Sequence, residues 1–101
     1  MNYLNELEKI KPELKKDGFE IIGLFGSASR DEMTENSDID VLYDLEKSFL
    51  EMHKGLNAIR RLVEIKEYLE SIFLRKVDIV DIKALSKTSR KYIMSEIRYV
   101  Q

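Results

Sequence analysis

Residues 21–44 read IIGLFGSASRDEMTENSDIDVLYD. The apolar, β-branched run Phe19–Phe25 that leads into this stretch suits a buried strand, and it delivers the chain into Gly26-Ser27. After a polar connection, alternation returns: Ile39, Val41 and Tyr43 point one way, Asp38, Asp40 and Leu42 the other. Two strands therefore flank a polar segment that opens on Gly-Ser and closes on Asp-Ile-Asp.

Upstream, Leu4, Leu7, Ile10 and Leu14 recur at helical spacing, which predicts an amphipathic helix from about Asn2 to Lys16. Pro12 is a position at which it could kink, and Asp17-Gly18 supplies the stop. Downstream, residues 49–73 return to helical spacing from Phe49 on, with Met52, Leu56, Ile59 and Val63 expected as core contacts. Leu62, Ile65, Leu69 and Ile72 form a second row, a surplus that hints at a protein partner, and Gly55 weakens the helix near its start. A third strand is expected over Lys76–Ile82, and a closing helix over Lys87–Arg98, capped by Ser86 or Thr88. The order is helix, strand, strand, helix, strand, helix. The long helix between the second and third strands permits a parallel crossover, so the expected fold is α/β (α+β): a small mixed sheet with helices packed on one face.

The chain has 101 residues, 44% hydrophobic and 36% charged, which predicts a single globular domain over 1–101. Its formal charge of −2 gives no bulk positive field for nucleic acid, and the acidic loop Asp31–Asn36 argues further against direct nucleic-acid binding. With no Cys, disulfides, thiolate metal sites and a Cys nucleophile are excluded. The charged N-terminus lacks the apolar core of a secretion signal, and no run reaches a membrane span, so the expected location is the cytoplasm.

Three aspartates stand among apolar neighbours: Asp38 and Asp40 in SDIDVLY, and Asp78 in KVDIVD. Such a carboxylate at a strand end is costly without a positive partner, and Asp38 and Asp40, two apart on a strand, share a face and repel. A divalent cation is the natural partner. All-oxygen donors favour Mg²⁺, or Mn²⁺ in its place, and three carboxylates suffice for two ions that also take phosphate oxygens. Gly26 lets backbone approach a phosphate without a Cβ, Ser27 adds a hydroxyl, and Arg30 one turn on can neutralise the charge. Phosphoryl transfer is the chemistry these residues suit. For the third carboxylate, alternation sends Asp78 and Asp81 to opposite faces; Asp78 is favoured, with Asp81 read as a solvated or capping residue.

Gly26-Ser27, ten residues, Asp38-Ile39-Asp40 and a later strand acid together resemble the DNA polymerase beta-type nucleotidyltransferase superfamily. The stretch 21–44 is similar, more closely, to the minimal nucleotidyltransferases, the antitoxin partners of HEPN ribonuclease toxins. The resemblance runs from about Phe19 to Ile82. It implies that Gly26 and Ser27 contact the triphosphate of ATP and that Asp38 and Asp40 coordinate two Mg²⁺ ions. By the same resemblance Asp78 ligates the metal near the attacking hydroxyl, with the option of acting as its base, and Arg30 matches the Arg that follows Gly-Ser. Where a Gly often follows that Arg, this chain has Asp31. The implied activity is AMP transfer from ATP to a tyrosine of a HEPN toxin. Length agrees, since larger superfamily enzymes add a domain to hold the acceptor, and a partner would have to supply that surface here.

Two other functions stay open at this stage: a nucleotide-binding antitoxin that neutralises its partner by occlusion, and a transferase acting on a small molecule or RNA. His53, the single histidine, is expected at an ordinary surface or rim position, Asp44 in a loop, and Lys83, Lys87, Arg90 and Lys91 on a solvated helix face.

Overall fold

In a computed structural model covering residues 1–101, the elements are α1 (Tyr3–Lys15), β1 (Phe19–Phe25), β2 (Ile39–Leu45), α2 (Lys47–Met52), α3 (Leu56–Phe73), β3 (Val77–Asp81), α4 (Lys87–Glu96) and β4 (Arg98–Tyr99). Short 3-10 turns occupy Gly26–Ala28 and Ile82–Ala84. The strands form one sheet in the order β3-β2-β1-β4, in which β1 is antiparallel to β2 and β4 while β2 and β3 run parallel. Parallel neighbours need a crossover, and α2 and α3 provide it. The α+β fold with a mixed sheet is thus the one the pattern predicts. No helix is long and apolar enough to cross a membrane.

Alternation decides the layers. Ile39, Val41 and Tyr43 of β2 join Phe19, Ile21 and Leu24 of β1 in a core covered by Leu7, Ile10 and Leu14 of α1, Phe49 of α2, and Ile65, Leu69 and Phe73 of α3. Phe19 stacks on Tyr43, centroids 4.5 Å apart. Helices on one face describes α1 to α3 but not α4. Leu42 points to the opposite face and is fully buried, Ile93 of α4 is also buried, and neither belongs to the main core cluster. A large apolar side chain on the aspartate face needs cover, and α4 lies on that side, across the cavity from Asp40.

Local chemistry sets the element ends. Asn2 caps α1 by accepting from the Asn5 N–H at 3.1 Å, and the helix continues through Pro12, which lies on the exposed side where water can replace the bond it removes. The expected single helix over 49–73 is broken at His53–Gly55, with Gly55 at φ 59°. Its buried row is also the other one. Ile65, Leu69 and Phe73 face the core with Leu62 and Ile72 beside them, while Met52, Leu56, Ile59 and Val63 are exposed, Leu56 to 81%. The two rows diverge around the helix, and the one that runs on to Phe73 and meets β3 wins the sheet.

His53 is more than a rim residue: its Nε2 lies 2.7 Å from Asp17 Oδ1, and Arg61 Nε donates to Asp17 Oδ2 at 2.6 Å. Burial would raise the Asp17 carboxyl, but the Arg61 and His53 hydrogen bonds outweigh it and hold it below its ordinary range. This cluster ties the α1–β1 turn to the ends of α2 and α3. The closing helix stops at Glu96, two residues early, because Arg98 and Tyr99 pair with Leu24 and Gly23 as an edge strand. A Cβ at Gly23 would overlap the Arg98 carbonyl, so glycine there is what lets β4 dock.

Leu74 ends α3 in the left-handed region at φ 56°, 82% exposed. A branched L-residue is strained there, whereas glycine is not. Leu74→Gly is therefore expected to stabilise the protein by about 1 kcal/mol, allowing for the flexibility glycine adds to the unfolded chain, and to raise Tm by roughly 4–8 °C in a thermal melt.

Candidate active site

The sheet brings together the C-terminal end of β1 and the N-terminal ends of β2 and β3. Phe25 pairs with Asp40, and Asp40 pairs with Asp78 across the parallel ladder. Strand partners share a face, so Asp40 and Asp78 stand side by side, with Asp38 one alternation before Asp40. Asp81 pairs with Tyr43 and accepts from the Lys83 N–H at 2.9 Å, the capping role expected of it. Asp44 lies within β2 rather than in a loop, and Lys83 reaches across to pair with it.

At the end of β1, Gly26 adopts φ 70°, and a Cβ built on it would overlap Asp40 Oδ2. Both the backbone conformation and the close approach demand glycine. The turn that follows is held by Ser29, whose N–H and hydroxyl both donate to the Gly26 carbonyl, and by Ser27 O, which accepts from the Arg30 and Glu32 N–H groups. Asp31 takes φ 55°, a conformation glycine adopts freely and aspartate tolerates better than most residues. The Asp31 departure from the family pattern thus leaves the loop able to turn. On the far side of the loop, Arg75 donates to the Thr34 and Ser37 carbonyls, and Ile39 N–H to the Lys76 carbonyl, which fixes the approach of Asp38.

Gly26, Ser27, Arg30 and Asp40 line one cavity of about 640 Å³, closed on its other side by Thr88, Ser89, Tyr92, Ile93 and Glu96 of α4. Asp78 is exposed at the neighbouring strand, and Asp38 borders a separate depression with Arg75. The three carboxylates are adjacent without closing into a ready-made cage for an ion. Asp40, half-buried, has its carboxyl pushed up to about 6, first by burial and then by Asp78, Asp38 and Glu96. The donor chemistry of Asp38, Asp40 and Asp78 is all-oxygen, the type a hard divalent cation prefers, but their arrangement here does not form an ion site.

Glu96 escaped the sequence reading. It accepts from the Gly26 N–H at 2.9 Å through Oε1 and from Arg30 Nη1 at 2.6 Å through Oε2. A carboxylate in the last turn of a helix opposes the helix dipole, and that was the available signal that something outside the helix holds it.

A glycine turn, an arginine and the strand-borne Asp40 around one cavity, with Asp38 and Asp78 beside it, are the residue types that suit a polyphosphate. The comparisons with known proteins agree. The family model for polymerase beta-type nucleotidyltransferases matches residues 8–100, and the chain belongs to that family. Among its relatives, the protein adenylyltransferase MntA of Thermococcus cleftensis is 33% identical over 102 residues, covering 96% of this chain and 95% of its own. A solved structure described as a minimal nucleotidyltransferase superposes with TM-score 0.69 at 28% identity, covering 94% of this chain and 90% of the other. A toxin–antitoxin crystal structure with AMP-PNP superposes with TM-score 0.66 at 26% identity, covering 93% and 72%.

The raised Asp40 carboxyl has a consequence for stability. Between pH about 4 and 6 the folded protein holds this proton more tightly than the unfolded chain does, so the contribution of Asp40 to stability falls as pH rises through that window. Without divalent cation, Asp40→Asn is expected to be more stable than the parent at pH 7–8, with the difference vanishing towards pH 4, as read by denaturant melts across pH.

Proposed function

We propose that this protein transfers AMP from ATP to a protein hydroxyl and thereby acts as the antitoxin of a two-component pair, its acceptor a tyrosine on a HEPN ribonuclease toxin. The observation that supports the reading is the Gly26 turn closed down on Asp40, with Gly26, Ser27, Arg30 and Asp40 lining one cavity. Near full-length similarity to a protein adenylyltransferase, and similarity to a chain of a toxin–antitoxin crystal structure, support the partner class.

In this reading the Gly26 and Ser27 N–H groups, the Ser27 hydroxyl and Arg30 grip the β- and γ-phosphates and stabilise the charge that builds on the leaving group. Asp38, Asp40 and Asp78 would hold one or two Mg²⁺ ions, which when bound supply charge neutralisation and a lower hydroxyl pKa. The acceptor oxygen bonds to the α-phosphorus, the bond from that phosphorus to the bridging oxygen breaks, and pyrophosphate leaves. Asp78, on the exposed edge where a partner can approach, takes the hydroxyl proton. The acceptor comes from outside, because α4 already fills the remaining side of the cavity.

With the partner toxin and ATP labelled at the α-phosphate, the parent protein is expected to label the toxin, and Asp40→Asn to lower the rate by at least about 10³-fold. Full neutralisation of the toxin by Asp38→Ala and Asp40→Ala variants would instead establish occlusion. Label on RNA or a small molecule would move the acceptor class.

A further inference from the structure

The anion cradle of this site already holds an anion. Glu96 makes two charge-assisted contacts there, with the Gly26 N–H at 2.9 Å and Arg30 at 2.6 Å, and its side chain is only 14% exposed. These are the donors that the proposed function reserves for phosphate. We propose that Glu96 is an internal stand-in for phosphate, so that a nucleotide enters by displacing its carboxylate. The inference rests on the reading of Gly26 and Arg30 as the triphosphate cradle.

A simpler role would be a strut that orients Arg30, but two features go beyond a strut. Arg30 has a second carboxylate partner, Glu32, at 3.3 Å, and so does not depend on Glu96 for its direction. The contact with the Gly26 N–H does nothing for Arg30 and removes a backbone donor from solvent and ligand alike. Position adds a cost, because Glu96 sits at the unfavourable end of the α4 dipole and faces Asp40 across the cavity.

The movement required is small. Val100 N–H donates to the Ile22 carbonyl, and β4 is seated on Gly23, so the backbone just after Glu96 is pinned to β1. The side chain alone must swing out through the open mouth of the cavity. Such a gate selects by charge: a ligand whose phosphates reach the cradle must outcompete a carboxylate, and one without phosphates never meets it. It also favours a ligand that arrives with cations, since displaced Glu96 no longer repels the carboxylates that would hold them.

The test is titration calorimetry of the full chain with AMP-PNP plus Mg²⁺, with inorganic pyrophosphate, and with adenosine. Glu96→Gln keeps the shape and removes the charge, and it is expected to bind AMP-PNP and pyrophosphate about tenfold more tightly than the parent, with adenosine unchanged. Glu96→Asp, too short to span both donors, is expected to fall between them and guards against a folding defect in the first variant. Affinity for AMP-PNP that is unchanged or weaker in both variants would overturn the gate and leave Glu96 as a strut. Toxin labelling by the parent is read alongside. Labelling without tighter binding in the variants sinks the gate alone, and tighter binding without labelling sinks the transferase reading alone.

Discussion

The close approach of the Asp40 carboxylate to the Cα of Gly26 is the constraint on which the rest of the structure depends. It requires that β1 end where β2 begins, which antiparallel pairing of Phe25 with Asp40 ensures. A residue with no Cβ must stand at the turn, and its φ of 70° must be free of strain. Once those conditions hold, N–H groups that bind anions and carboxylates that repel them share a few ångströms. A ligand carrying negative charge on one side and cations on the other would satisfy both, as the proposed metal–triphosphate substrate does.

The second layer of the fold serves that corner. The crossover through α2 and α3 places β3 beside β2, so that Asp78 arrives next to Asp40 in register. Leu42 is buried on the aspartate face, and α4 on the same side forms the far wall of the cavity. The same helix brings Glu96 onto the Gly26 N–H and Arg30, so the wall of the pocket also occupies its donors.

Much of this was legible in the residues. Gly26, Ser27, Asp38, Asp40 and Asp78 are visible because strand alternation and a glycine turn are local signals with short range. Asp81 as a cap was legible for the same reason. What escaped depends on where distant segments meet. Glu96 touches Gly26 across 70 positions of sequence, and His53 touches Asp17 across 36, and no local pattern encodes either contact. The phase of α3 was misjudged because two apolar rows compete, and only the docking of Phe73 decides between them. The two-residue strand at Arg98 is invisible for a related reason: it pairs because Gly23 admits it, not because of its own sequence.

Amide-resolved NMR during titration with AMP-PNP and Mg²⁺ bears on the whole account at once. The account predicts that the signals of Gly26, Ser27, Arg30, Asp40 and Asp78 move together and saturate at one equivalent of nucleotide, while those of Leu56, Ile59 and Val63 stay in place. Shifts that leave Gly26 and Asp40 unmoved, or that gather on the exposed row of α3, would contradict it.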